Sequence, residues 1–199
     1  MRGTMIAAMM LLGTCGGAWA GENLIQNGGF EEVKAEAGRS GNPFEKWGGW
    51  KFEGDAQMVS DKDVKHGGAA SALLTSTGPC KIAINQKVKT EPGWYKLTMW
   101  VKGANLTENA GRAVKFGFEA KGGASVKDVL PPGTYGWRKV ERVYHLTDAN
   151  ADSALYIYLY GSGRLNVDDV TLEKLEGDGQ KEGMALGDPE AAAPAGEKK

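Results

Sequence analysis

The chain has 199 residues, 30 of them glycine, and its 24 Lys and Arg nearly balance 25 Asp and Glu, giving a formal net charge of −1. This balance argues against capture of nucleic acid or an anionic membrane by charge, so a neutral partner is expected. Abundant glycine, together with 6 Trp, 6 Tyr and 5 Phe and few helix-like apolar stretches, favours an all-β domain with many turns.

Residues 1–20 match a secretory signal peptide. They carry a single charge at Arg2, an apolar run over residues 5–12 and the small-x-small sequence Ala18-Trp19-Ala20. The apolar run is shorter than the ~20 residues that span a bilayer, and no later stretch is apolar enough to form a transmembrane segment. We therefore expect a secreted or periplasmic protein.

The two cysteines leave one alternative open. Cys15 lies in a sequence that loosely resembles a lipobox, so a cell-surface lipoprotein is the second possibility, although Thr14 is bulkier than the residue usual there. If the leader is cleaved, Cys80 alone remains and no intramolecular disulfide can form. The domain must then be stabilised by its core, with or without a bound metal.

Strands are predicted along residues 21–176. The first segment, Asn23–Glu31, and the last, Leu165–Leu172, both read as strands with acidic residues beside apolar ones, so their pairing would bring carboxylates together. Apolar and polar residues alternate in three clear runs between them, over residues 94–102, 114–119 and 154–160. Further strands are predicted at 56–59, 70–74, 82–88 and 138–146. Eight to ten strands without helices imply a two-sheet antiparallel β-sandwich, and residues 177–199 read as a disordered tail.

Several segments occur in an order that resembles a known family. They are Asn23–Glu31, Trp47–Trp50, His66–Leu73, Gln86–Val88, Pro92–Lys102, Trp137 and Val167–Val170. The set resembles the carbohydrate-binding modules of families four, nine and twenty-two, which share a galactose-binding-like β-sandwich called a jelly roll. The resemblance covers nearly all of residues 21–176. It implies a non-catalytic module that binds a polysaccharide or oligosaccharide in a groove on one sheet and holds a structural calcium ion at the sheet edge. We also expect a monomer.

The same resemblance implies where the calcium ion would be bound. Its ligands would be Glu31, Asp168 and backbone oxygens near Lys65 or Gly68. Calcium prefers about six to eight oxygen ligands, which carboxylates and carbonyls supply. The alternative is that Glu31 and Asp168 are ordinary solvated carboxylates at strand edges.

Candidate sugar-binding residues follow from the side-chain alternation. A sugar ring has an apolar C–H face and a rim of hydroxyls, so it needs flat aromatic rings and polar groups beside them. The predicted rings are Trp100, Tyr156, Tyr158 and Tyr160, with Trp47 and Trp50 as groove walls and Glu119, Arg142 and Lys102 as hydroxyl partners. In the alternative, loops such as 104–111 cover these rings, or the rings pair across strands on a convex face. Trp94, Tyr95 and Trp137 are assigned to the core.

Three functions remain open from the sequence. The first is sugar binding without catalysis. The second is a structural or cell-surface assembly domain that keeps the fold without a sugar site. The third is a jelly-roll glycoside hydrolase or lyase, using Glu119 with Glu141 or Asp128. The sequence contains no G-x-S-x-G nucleophile motif and no metal-binding histidine pair, which argues against the enzyme.

Overall fold

The computed structural model describes residues 21–37, 40–119, 125–148 and 153–176, and within them it contains β-strands and no α-helix. The strands are β1 Gly48–Glu53, β2 Ala56–Asp61, β3 Ser71–Ser76, β4 Lys81–Lys87, β5 Gly93–Leu106, β6 Val114–Glu119, β7 Val126–Leu130, β8 Gly133–Leu146, β9 Ala154–Tyr160 and β10 Gly163–Lys174. These residues include no helix long and apolar enough to cross a membrane. The predicted leader and tail lie outside the described residues.

The strands form two antiparallel sheets, as the sequence predicted, and each sheet has five strands. One sheet has the order β1-β4-β9-β6-β7 and is called here the tyrosine sheet. The other has the order β2-β3-β10-β5-β8 and is called the terminal sheet because it contains the last strand. Neighbours within each sheet are mostly distant in sequence, so the faces they build cannot be read from one segment alone.

The core lies between the two sheets and follows the predicted alternation. Ten of the side chains that face it are at most 1% exposed: Tyr95, Leu97, Met99 and Val101 of β5, Val114, Phe116 and Phe118 of β6, and Leu155, Ile157 and Leu159 of β9. Fully burying one such apolar side chain contributes about 1.5–3 kcal/mol. Because these residues fill the interior, every second residue of the same strands must lie on an outer face.

The first segment is not a strand, and this part of the prediction is wrong. Asn27 and Phe30 have φ angles of 49° and 56°, and the amide of Phe30 donates to the carbonyl of Asn27 in a turn. An extended strand cannot contain such residues. The two ends of the domain nevertheless meet, since the amide of Leu24 donates to the carbonyl of Leu172 over 2.8 Å.

Strand β1 was not predicted, because the Gly48-Gly49 pair reads as a loop. In the structure Gly49 leaves room for Asn42 and Met58, whose side chains would lie within 3 Å of a Cβ at that position. The strand continues with Trp50 and Phe52, and it pairs with β4 at the edge of the tyrosine sheet.

Candidate functional site

The outer face of the tyrosine sheet carries Tyr156, Tyr158 and Tyr160 and is called here the tyrosine face. Alternation places these rings outside because Leu155, Ile157 and Leu159 fill the core between them. A row of Cα partners crosses all five strands of this sheet through Trp50, Ala83, Tyr158, Lys115 and Val129.

Aromatic rings form a continuous band across this face. Trp50 stacks on Phe52 with 6.3 Å between ring centroids, and Phe52 lies 6.1 Å from Tyr158. Tyr158 in turn contacts Tyr156 at 5.4 Å and Tyr160 at 5.7 Å. The band thus runs from the edge strand β1 to the central strand β9.

The rings of the band differ in how much they face solvent. Trp50 is 55% exposed and Phe52 is 50% exposed, whereas Tyr158 and Tyr160 are 4% and 6% exposed. The sequence predicted the tyrosines as the main contact surface, but in the structure Tyr158 and Tyr160 form a floor. Trp50, which was predicted, and Phe52, which was missed, are the most exposed rings of the band, and Tyr156 is partly exposed. Trp47, the other predicted wall, is only 2% exposed and belongs to the core.

Two charged side chains, Lys115 and Glu119, contact Tyr158, and the contacts change the pKa values of Tyr158 and Glu119. The ammonium of Lys115 lies 4.5 Å from the centroid of the Tyr158 ring. The Tyr158 hydroxyl donates a 2.9 Å hydrogen bond to Glu119 Oε2, and the Lys115 ammonium lies 2.6 Å from Glu119 Oε1. Burial and this hydrogen bond raise the pKa of Tyr158 well above its usual value. Burial opposes ionisation of Glu119 as well, but the bonds from Lys115 and Tyr158 outweigh it and lower the pKa of Glu119.

The structure does not bring Trp100 to the tyrosine face. Trp100 lies on the outer face of the terminal sheet, where its ring stacks on His66 with 3.8 Å between centroids. Trp137 meets the same imidazole edge-on at 5.7 Å, and Nδ1 of His66 lies 2.6 Å from Asp169 Oδ2. One face of the Trp100 indole is therefore already in contact with His66.

The assignment of Trp94 and Trp137 to the core is wrong. Both are partly exposed and lie on the outer face of the terminal sheet, where Trp94 stacks on His145 at 4.7 Å. For Trp94 the alternation of β5 explains the error, because Tyr95, the next residue, is the one that points into the core. Lys102 has the same parity as Trp100 and shares its face.

Arg142 lies at the open edge between the sheets, away from the tyrosine face. Its Nε donates to Asp128 Oδ1 over 3.2 Å, and the Tyr144 hydroxyl donates to Asp128 Oδ2 over 2.8 Å. Strand β8 is the last strand of the terminal sheet and β7 the last of the tyrosine sheet. This group, called here the edge clamp, therefore joins the two edge strands.

The carboxylate pairs considered for catalysis do not share a face. Glu119 points out of the tyrosine sheet toward Tyr158, while Asp128 lies between the sheets in the edge clamp. Glu141 lies on the outer face of the terminal sheet, 2.8 Å from Lys139. A glycosidase needs both of its carboxylates around one bond, and neither pair meets that requirement.

Asp168, a predicted calcium ligand, is completely buried beside the loop of residues 65–69. Its Oδ2 accepts the amides of His66 and Gly67 at 2.8 and 3.1 Å, and its Oδ1 accepts the amide of Asp169. Burial raises the pKa of Asp168, and the three amide donors only partly offset this effect. In the described part of the chain no Lys, Arg or His forms an ion pair with it.

Glu31, the other predicted carboxylate ligand, contacts the same loop. Both of its carboxylate oxygens accept the amide of Ala69, at 2.9 and 3.0 Å. Gly68 has a φ of +55°, and a Cβ there would overlap Glu31 Oε1, so the approach requires glycine. Among the described residues no group of three or more His, Cys, Asp or Glu side chains is arranged to hold a metal. Calcium also accepts backbone carbonyl oxygens, which Lys65 and Gly68 would supply. The calcium site therefore stays a prediction.

The sequence matches no protein-family model and no curated protein. Solved structures with this fold include carbohydrate-binding modules of families 4, 16, 22 and 61. A family 16 module has a TM-score of 0.55 and 18% identity, with 76% of this chain and 100% of that chain covered. The CBM22-1 xylan-binding domain of Paenibacillus barcinonensis Xyn10C has a TM-score of 0.52 and 18% identity, with 81% and 100% covered.

One similar structure is part of an enzyme. The enzymatically active domain of tailspike protein 4 of bacteriophage CBA120 has a TM-score of 0.56 and 15% identity. The match covers 77% of this chain but only 21% of the tailspike chain. At these identities the comparisons establish the fold. The chain has the β-sandwich fold of the carbohydrate-binding modules.

Proposed function

We propose that the protein binds a carbohydrate chain on the tyrosine face and does not cleave it. The observation that carries this proposal is the pair of half-exposed rings, Trp50 and Phe52, which stack on each other beside a buried floor of tyrosines. Large aromatic side chains exposed side by side on an open face are a mark of a binding surface. The fold shared with carbohydrate-binding modules supports sugar as the ligand.

The chemistry of the face suits a sugar ring. The C–H face of a pyranose packs on a flat aromatic ring, which offers a large contact area at little cost in conformational entropy. Glu119 accepts hydrogen bonds, and Lys115 and Lys127 donate them, so hydroxyl groups at the rim of the sugar find both kinds of partner. The predicted leader in residues 1–20 supports an exported location, where such glycans occur.

The proposal includes a bound calcium ion with a structural role. Glu31 and Asp168 would hold it together with carbonyl oxygens of Lys65 and Gly68. Asp168 supports this assignment because it is buried, has no cationic partner among the described residues and lies next to a second carboxylate, Asp169. A buried carboxylate without such a partner is costly, and a bound cation would offset that cost.

Affinity electrophoresis of the full chain through gels containing polysaccharides tests the proposed site. Wild-type protein should be retarded by at least one polysaccharide, and Trp50→Ala should weaken that retention about tenfold, since a stacked ring contributes about 1.5 kcal/mol or more. Trp100→Ala is the matched control, because it removes the same side chain from the opposite sheet. It should leave retention unchanged.

Three results would contradict the proposal. Loss of retention in Trp100→Ala with retention kept in Trp50→Ala would move the site to the terminal sheet. No retention on any polysaccharide would favour a structural domain. Release of reducing ends or unsaturated products from the gel polysaccharide would show an enzyme.

A further inference from the structure

Among the described residues, the tyrosine face carries more positive than negative charge, unlike the chain as a whole. Its cations are Lys81, Arg112, Lys115 and Lys127, which contact its rings or its carboxylate. Glu119 is the carboxylate that contacts them, and Glu53 is the Cα partner of Lys81 at the end of β1. The formal net charge of −1 for all 199 residues therefore does not describe this surface.

Lys81 lies in the middle of the aromatic band. Its ammonium is 4.7 Å from the Phe52 centroid and 5.9 Å from the centroids of both Tyr158 and Tyr160. Lys81 forms no ion pair within 4 Å in the described residues, and this includes Glu53, its neighbour across the strands. The rings hold the cation by cation–π contacts, which leaves its other side to receive an anion.

Arg112 provides a second cation at the end of the band. Its guanidinium lies 5.8 Å from the Tyr160 centroid, the residue is exposed, and no carboxylate in the structured part of the chain pairs with it. Lys115 and Lys127 differ from these two, because both contact Glu119, at 2.6 and 3.8 Å. Lys81 and Arg112 are therefore the cations that contact the aromatic band without a carboxylate partner among the described residues, and both lie within 6 Å of the Tyr160 centroid.

We propose that the carbohydrate bound on the tyrosine face is acidic, with a carboxylate or sulfate group that contacts Lys81 and Arg112. This inference rests on the proposed function and names the class of its ligand. A pyranose stacked on Trp50 and Phe52 would direct an anionic substituent toward the Lys81 ammonium, which lies over the Phe52 ring. The repeating charge of an acidic chain would let the next unit contact Arg112.

Lys81 and Arg112 should each make a measurable contribution to the binding of an acidic chain. A hydrogen bond between charged groups contributes about 1.5–3 kcal/mol, so losing one cation should weaken binding about tenfold or more. Because both cations are near the surface, added salt should weaken this part of the binding as well. Stacking on Trp50 and Phe52 does not depend on salt in this way.

The experiment measures affinity of the full chain for matched pairs of polysaccharides. Polygalacturonate is compared with its carboxyl-reduced form, and dextran sulfate with dextran, so that the two arms separate carboxylate from sulfate. We expect at least one acidic member to bind about tenfold more tightly than its neutral counterpart in low salt. Lys81→Gln and Arg112→Gln should each remove most of that difference.

Lys102→Gln is the matched control, because it makes the same change on the outer face of the terminal sheet. It should leave the preference intact, whereas Trp50→Ala should weaken binding of the acidic chain.

If the neutral members bind equally well and Lys81→Gln has no effect, the inference is wrong while the proposed function stands. If Lys102→Gln lowers acidic binding as much as Lys81→Gln, the attraction is not local and the inference is also wrong. If none of the four polysaccharides binds in low salt, the inference of an acidic ligand is wrong. Affinity electrophoresis in gels that contain other, neutral polysaccharides then decides the proposed function.

Discussion

The hydroxyl group of Tyr158 donates a hydrogen bond to Glu119 Oε2, and the two atoms lie 2.9 Å apart. Because Tyr158 is only 4% exposed, Tyr158→Phe removes a buried bond to a charged acceptor while keeping the ring. We expect the free energy of unfolding to fall by about 1–2 kcal/mol in urea denaturation. Tyr156→Phe, on the same strand but half-buried, is the control, and equal losses in the two variants would contradict a specific role for Tyr158.

The charge on Glu119 should make stability depend on pH. Since its pKa is lowered in the folded protein, its contribution is fully present above the unfolded value of about 4.3 and is lost as pH falls through the folded pKa. The difference in unfolding free energy between wild type and Glu119→Gln should therefore be largest near neutral pH and shrink below about pH 4. Urea denaturation at several pH values measures it. A difference that stays constant with pH would contradict the assignment.

The edge clamp should contribute to stability and not to binding. Arg142→Ala leaves Asp128 with an unpaired oxygen at the open edge of the sandwich, so we expect a loss of about 1–3 kcal/mol in unfolding free energy. Lys139→Ala on the same strand breaks an exposed ion pair and should cost less than about 1 kcal/mol. If Arg142→Ala instead abolished polysaccharide retention and kept stability, Arg142 would return to the binding site, where the sequence placed it.

Calcium should raise the melting temperature if Glu31 and Asp168 hold the ion. Binding to the folded state alone stabilises by about 2.7 kcal/mol at a concentration a hundredfold above Kd, which corresponds to several degrees in a domain of this size. Thermal melts in excess calcium and in excess chelator measure the difference. Glu31→Gln, a change at an exposed ligand, should reduce it. Identical melting temperatures in calcium and in chelator would contradict the ion.

The sequence predicted which side chains of a single strand point inward or outward. It did not predict which strands lie side by side to form each face of a sheet. The sides of β9 follow from Leu155, Ile157 and Leu159 alone. The burial of Tyr158, however, depends on Phe52 and Lys115, which reach it from strands that are distant in sequence. An alternating pattern states which side chains share a face, but it does not state what lies beside them.

The placement of Trp100 shows the same limit. Trp100 and Tyr158 both alternate with core residues, yet they belong to different sheets and point in opposite directions. Strand order is set by long-range pairing, so no local pattern distinguishes the two sheets. Phe52 had a local signal in the Trp50-Lys51-Phe52-Glu53 alternation, but the preceding glycine pair concealed the strand.

The meeting of the two ends of the domain has a practical consequence. Leu24 and Leu172 are joined by a 2.8 Å hydrogen bond, and Asn23 forms a bridge with Glu173, so residues 23 and 173 lie side by side in space. Structured ends this close together fit the geometry of a surface loop, in which a chain leaves and returns at nearly the same point. The segment 21–176 is therefore suited to insertion into a loop of a host protein. Both junctions would lie beside the terminal sheet, so neither would cover the tyrosine face.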